Sequence, residues 1–155
     1  MNTEPRKKFH MINRLRKAER ESEKLLKLVM AFEKCDARSK LECQAYHDWI
    51  EGTLRFELQN WREATVSLTK ARTIYEKLSA TLGEDEAVIY KQRMADIVPS
   101  LRFCAYNSGD DMAKQDLLNM RAGGGMGVEE LINQTREEQA ATLQEVRPFH
   151  IRTCN

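Results

Sequence analysis

Cations crowd the beginning of this chain. Residues 1 to 27 hold nine of them, Arg6, Lys7, Lys8, Arg14, Arg16, Lys17, Arg20, Lys24 and Lys27, against Glu4, Glu19, Glu21 and Glu23. A net charge of +1 therefore conceals a local balance of +5 and a remainder of −4. Segregation of this kind points one end of the molecule at a polyanion, because a surface that is merely soluble intersperses the two signs. His10, Arg14, Lys17, Lys24 and Lys27 recur at spacings that share one helical flank, with Glu21 interrupting. Arg and Lys every three or four residues match the repeated phosphates of a nucleic acid and release its counterions. The contacts this predicts are Arg6, Lys7, Lys8, Arg14, Arg16, Lys17, Arg20 and Lys24. Arg55, Arg62 and Lys70 are secondary, since they equally suit the solvated face of a helical pair. Phospholipid headgroups or an acidic protein would suit the same stripe.

Other chemistry finds no footing. There is no glycine loop with a lysine to cradle phosphate, no G-x-S-x-G and no H-E-x-x-H. His10, His47 and His150 have no partners at triad or metal-site spacing. Cys35, Cys43, Cys104 and Cys154 lie far apart without a C-x-x-C pair, so neither zinc nor a disulfide framework is indicated. Reduced thiols are expected, with Cys43 and Cys104 as small core residues. Glu19 with Glu23, and Glu129 with Glu130, fall on faces expected to be solvated, where paired-carboxylate catalysis lacks the burial it needs. The reading is thus of a chain with no catalytic residue, no metal, no cofactor and no small-molecule substrate.

The elements that must position the cations read as helices. A length of 155 residues suits one compact domain, and the abundance of Ala, Glu, Lys, Leu and Arg with only three prolines favours an all-α fold. No run of about 18 apolar residues would span a membrane, and no signal-peptide core follows the basic start. Phe9, Ile12, Leu15, Leu25, Leu26, Val29 and Phe32 make a first amphipathic helix from Pro5 to about Phe32. Asp36 or Ser39 can cap a second, ending near Gln59, whose buried face is Leu41, Ala45, Trp49, Gly52 and Phe56. Asn60 caps a third, with Glu63 able to reach back, and its buried face is Ala64, Leu68, Ala71, Ile74, Tyr75 and Leu78. Gly83 closes it.

The E-D-E at 84 to 86 suits the positive end of a fourth helix, continued by apolar residues that include Ile89, Tyr90, Phe103 and Tyr106. Pro99 predicts either a kink or two shorter helices. Asn107 to Asp110 reads as a turn before a short helix through Met120. Four glycines between 122 and 127 then make a connector, followed by a helix from Val128 to about Val146 and a tail. The expected organisation is a helical domain over 1–121, a glycine-rich linker over 122–127, and a C-terminal helix and tail over 128–155.

Trp49, Phe56, Trp61, Tyr75, Tyr90, Phe103 and Tyr106 are expected to fill the space between helices rather than stack on bases, with Trp61 at the start of a helix beside a turn. Gly52, Ala64 and Leu68 fall in register with a tetratricopeptide hairpin, while Asp48, Glu51, Arg55 and Glu76 stand where that pattern has other residues. The expected architecture is tetratricopeptide-like, with antiparallel helical hairpins stacked in sequence. A scaffold that holds a peptide in a concave groove is the rival reading.

Several longer strings carry a resemblance. N-T-E-P-R-K-K-F-H at 2 to 10, R-L-R-K-A at 14 to 18, L-R-F-E at 54 to 57, K-A-R-T-I-Y-E-K-L at 70 to 78, Y-K-Q-R at 90 to 93 and L-R-F-C-A-Y-N-S-G-D at 101 to 110 resemble the family of the 68-kilodalton subunit of the eukaryotic signal recognition particle, in its N-terminal RNA-binding domain. The likeness runs from about residue 2 to 121 and weakens from Gly123 onward. It implies a helical domain that binds the S domain of the particle's RNA near a helical junction and reshapes it. It further implies membership of a particle that brings ribosomes making secretory proteins to the endoplasmic reticulum. The resemblance places the protein in the cytoplasm, at the reticulum with the particle, and in the nucleolus during assembly. In the family an arginine-rich segment precedes the region seen here, and the contact with the 72-kilodalton partner subunit lies far toward the C-terminus. The chain is accordingly expected to be a fragment without either.

Overall fold

The computed structural model describes residues 5–108 and 126–145. Among them the chain is all-α, without a strand: α1 Pro5–Ala31, α2 Ala37–Glu57, α3 Trp61–Thr81, α4 Glu84–Ser108 and α5 Met126–Glu145. Helix α3 has the face that its spacing predicts, with Ala64, Leu68, Ala71, Ile74, Tyr75 and Leu78 all buried. It packs on α2 through Leu41, Ala45 and Gly52. Three contacts give the direction of this pair: Gly52 lies against Leu68, Ser67 donates to Glu51 at 3.1 Å, and Arg55 reaches Glu63 at 3.3 Å. As the residue number rises along α2 it falls along α3, so the helices run antiparallel.

Helix α4 lies against α3 in the same sense. Tyr90 stacks on Tyr75 with centroids 6.1 Å apart, and the Phe103 ring stands 5.4 Å from Trp61 at the other end. Helix α5 rests on α2 and α3, with Ile132 in the core and an ion pair between Glu129 and Lys77. Helix α1 is different, because it packs principally on α2 and its one fully buried residue is Ser22. That hydroxyl donates to the Glu19 carbonyl at 2.8 Å and lies 3.0 Å from Nδ1 of His47 on α2.

The caps show where local chemistry decides. Asp36 caps α2 by accepting from the Ser39 amide at 2.9 Å, which holds its carboxyl below the usual range. Helix α2 ends at Glu57. Gln59 then turns left-handed at φ 63°, the Gln59 amide donates to Phe56 and the Asn60 amide to Arg55. This pair of bonds is the Schellman arrangement.

Several expectations give way to the packing. Asn60 occupies the N-cap position of α3 but makes no side-chain cap bond, and Glu63 turns instead to Arg55. Gly83 does not close α3, whose cap is Leu82. Its carbonyl accepts from Ala87 and so begins α4. Of the two alternatives at Pro99, two shorter helices are excluded, since α4 is one helix through it; α4 also includes Asn107, expected in a turn, whose amide group donates to the Phe103 carbonyl. Ile89, Phe103 and Tyr106 are exposed, Tyr106 by 86%, because α4 has its main neighbour, α3, on one side only. Phe9 and Leu25 of α1 are exposed for the same reason, α2 covering only one arc of the helix, and Phe32, expected in that helix, is exposed just beyond its end. Helix α5 begins at Met126, so Gly127 lies within it. The expected short helix to Met120, the glycines at 123 to 125 and the tail lie outside the described residues.

Candidate nucleic-acid interface

Half-buried and buried residues of α1 define the arc it turns to α2: Ile12, Leu15, Ala18, Ser22, Leu26 and Val29. At about 100° per residue, Arg6, Lys17, Arg20 and Lys24 stand roughly opposite that arc. Arg16 lies on one flank, and Arg14 with Lys7 on the other. All seven are exposed. Lys8 falls in line with the inner arc and is half-buried.

Ion pairing divides the outer cations. Lys24 is held by Glu21 at 3.1 Å and Lys27 by Glu23 at 2.7 Å, and the ammonium beside Glu23 keeps its carboxyl below the usual range. Arg14, Arg16, Lys17 and Arg20 form no ion pair among the described residues. Unneutralised charge is therefore concentrated in the middle of the helix, where residues 14 to 20 hold these four cations and one anion, Glu19.

The N-terminal end of α1 projects. Only residues 32 to 36 join α1 to α2, so the chain turns back on itself there and the two helices run antiparallel; with Ser22 opposite His47, ten residues back from Ser22 places Ile12 opposite Glu57, the end of α2. Residues 5 to 11 then continue for about 10 Å beyond the helix that supports them. A polyanion could reach that stretch from several sides.

The secondary candidates separate from this face. Arg55 bridges Glu51 at 3.6 Å and Glu63 at 3.3 Å, so it ties α2 to α3. Arg62 and Lys70 are exposed on α3, on another helix from the stripe. The aromatics behave as fillers in part. Phe56, Trp61 and Phe103 form a triad with every centroid separation 5.4 Å, and Arg93 covers the half-buried Trp49 ring at the same distance from its centroid. Cys104 is fully buried and Cys43 half-buried, and burial pushes both thiols up.

Two polar features escape a reading by periodicity. Arg38 donates to Glu42, Tyr90 and Glu86, joining α2 to α4, while Tyr90 also donates to Glu42. The partners that link the two helices are 48 or more residues apart, beyond any local pattern. Asp48 is only 7% exposed on the α2 face toward α3, its Oδ2 has no hydrogen-bond partner, and burial pushes it up to about 6 against the pull of Lys70. Its position seven residues after Leu41 was the available signal. Among the described residues no group of three His, Cys, Asp or Glu side chains gathers to hold a metal, and no helix is long and apolar enough to cross a membrane.

Comparison with known proteins agrees with the likeness carried by the strings. The family model described as RNA-binding signal recognition particle 68 matches residues 1–149. The signal recognition particle subunit SRP68 of Drosophila melanogaster is 43% identical over 149 residues, covering 94% of this chain and 24% of that protein. Its counterpart from Caenorhabditis elegans is 41% identical over 150 residues, covering 91% and 24%. The chain thus spans about a quarter of the length of these relatives.

Proposed function

The chain belongs to the RNA-binding signal recognition particle 68 family, and on that premise we propose that it is a non-catalytic subunit domain that binds the particle's RNA through α1. The observation that carries the reading is the outer arc of α1: exposed, unneutralised Arg and Lys directed away from the supporting helix. Phosphates of a folded RNA lie along that arc, and the packed helices behind it fix its angle. RNA helices are recognised mainly by shape and backbone, which fits cations without a base-reading motif. The finer reading places the contact in the S domain of the RNA, within residues 1–121, and has binding reshape the RNA. The whole particle, with the 72-kilodalton subunit engaged outside this stretch, then serves co-translational targeting from the cytoplasm to the endoplasmic reticulum, with a nucleolar stage in assembly.

The test is a gel-shift titration with S-domain RNA over a salt series. Charge reversal at Lys17 and Arg20 together should weaken binding and reduce the salt slope by about 1.4 to 1.8, some 0.7 to 0.9 for each phosphate that is no longer neutralised. Reversal at Lys91, exposed on α4, should change neither by more than a general loss of positive charge requires. Unchanged affinity and slope in the α1 variant would remove this reading. They would leave a groove for a peptide or an anionic membrane as the alternatives.

A further inference from the structure

Phe9 does not belong to the apolar arc of α1. It is 62% exposed, and its direction is that of the cations. Arg6, Phe9, Asn13, Arg16 and Arg20 follow one another at three, four, three and four residues, which confines them to an arc of about 80° on the solvent side. Phe9 lies within the seven residues that project beyond α2. Its ring meets that of its neighbour His10, T-shaped at 6.0 Å. A large apolar ring exposed at this position gains nothing from the protein's own core.

Resting on the RNA-binding reading, we infer that Phe9 stacks on an unpaired base of the bound RNA, while Arg6, Arg16 and Arg20 hold the phosphates on either side of it. The chemistry selects this occupant. Unstacked bases are bound by aromatic side chains set among cations, whereas a continuous duplex offers its base faces to nothing outside the helix. Asn13, one turn from Phe9, has the donor and acceptor that a base edge requires. The arc is flanked by Arg and Lys rather than by further apolar residues, so charge complementarity favours a nucleotide over a protein helix. The α1 surface would then distinguish RNA with a bulge or open junction from perfectly paired RNA, a preference that cations alone cannot supply.

The experiment measures fluorescence anisotropy of the 155-residue chain with two labelled hairpins, identical except that one carries a single bulged adenosine. Phe9→Ala should lose about 5- to 150-fold in affinity for the bulged hairpin, and less than about twofold for the paired one. Phe9→Tyr should retain the preference and Phe9→Leu should not, with the salt slope unchanged in all three and helicity by circular dichroism as in the parent. Equal losses on both hairpins, no loss on either, or a leucine variant as selective as the parent would each overturn the inference. If reversal at Lys17 and Arg20 abolishes binding while Phe9→Ala leaves the preference intact, stacking fails and the RNA reading stands. Should the charge reversal have no effect, the RNA reading fails and this inference with it.

Discussion

Replacing Gly52 with alanine tests whether the seam between α2 and α3 fixes the platform beneath α1. In an exposed helix the change would gain about 1 kcal/mol, since glycine loses more backbone freedom than alanine. Here a β-carbon would stand 2.7 Å from Leu68 Cγ, 2.8 Å from Cδ2 and 3.1 Å from the Leu68 backbone nitrogen. Ordinary carbon contacts need about 3.5 to 4.0 Å, so the helices must separate or Leu68 must leave its rotamer. Leu68 is fully buried and has nowhere to go. Overpacking of this kind costs about 1–3 kcal/mol. Set against the propensity gain, Gly52→Ala should destabilise by about 1 kcal/mol, lowering Tm by about 2–4 °C.

The decisive measurement is a double-mutant cycle by denaturant titration under far-ultraviolet circular dichroism. Leu68→Ala alone should cost about 2–5 kcal/mol through the cavity it leaves. In that background the two closest clashing atoms are gone, and Gly52→Ala should turn neutral or favourable, a coupling of about 1–2 kcal/mol. The reasoning would be refuted if Gly52→Ala stabilised the parent by the full propensity gain and the two changes were additive.

Other outcomes follow from single residues. Asp48 has a folded pKa of about 6 against 3.8 for the free group, so the native state binds its proton more tightly and stability falls as pH rises from about 4 to about 6. Asp48→Asn should remove that part of the pH profile and raise stability at pH 7 by up to about 3 kcal/mol, with little effect below about pH 4, in denaturant titrations at each pH. Gln59→Gly should stabilise by about 1 kcal/mol in the same assay, because Gln59 occupies a left-handed conformation that costs a side chain about that much. Glu21→Gln with Glu23→Gln should release Lys24 and Lys27, lengthen the cationic arc and steepen the salt dependence of RNA binding by about 1 to 2. A slope that stayed the same would mean that the RNA does not extend to that turn.

Periodicity revealed α3 and misled on α1, and the cause is the number of neighbours. Helix α3 is flanked by α2, α4 and α5, so every apolar residue in its expected stripe is buried, and Thr65, Ser67 and Thr69 are buried beside them. Helix α1 leans mainly on α2. Its apolar pattern is wider than the covered arc, which leaves Leu28 70% exposed and Phe9 among the cations. A pattern states which residues prefer burial, and only the assembled helices state which receive it. The exposure of the cations was legible because charge needs only solvent, whereas the half-burial of Lys8 beside exposed Arg6 and Lys7 follows from consecutive residues pointing about 100° apart. Which cations are neutralised was partly readable, since Glu23 and Lys27 are four apart. Arg38 and its partners on α4 were not, as they meet only after α2 and α4 come together.

The seat of α1 also carries a constraint on protons. Ser22 has one hydrogen, and the Glu19 carbonyl takes it at 2.8 Å, so toward His47 the hydroxyl oxygen can only accept. The imidazole must then bring the hydrogen on Nδ1, which selects the Nδ1–H form of the neutral ring. A hydroxyl on the basic helix thus decides which nitrogen carries the hydrogen of a ring on α2, and the same bond holds the two helices together.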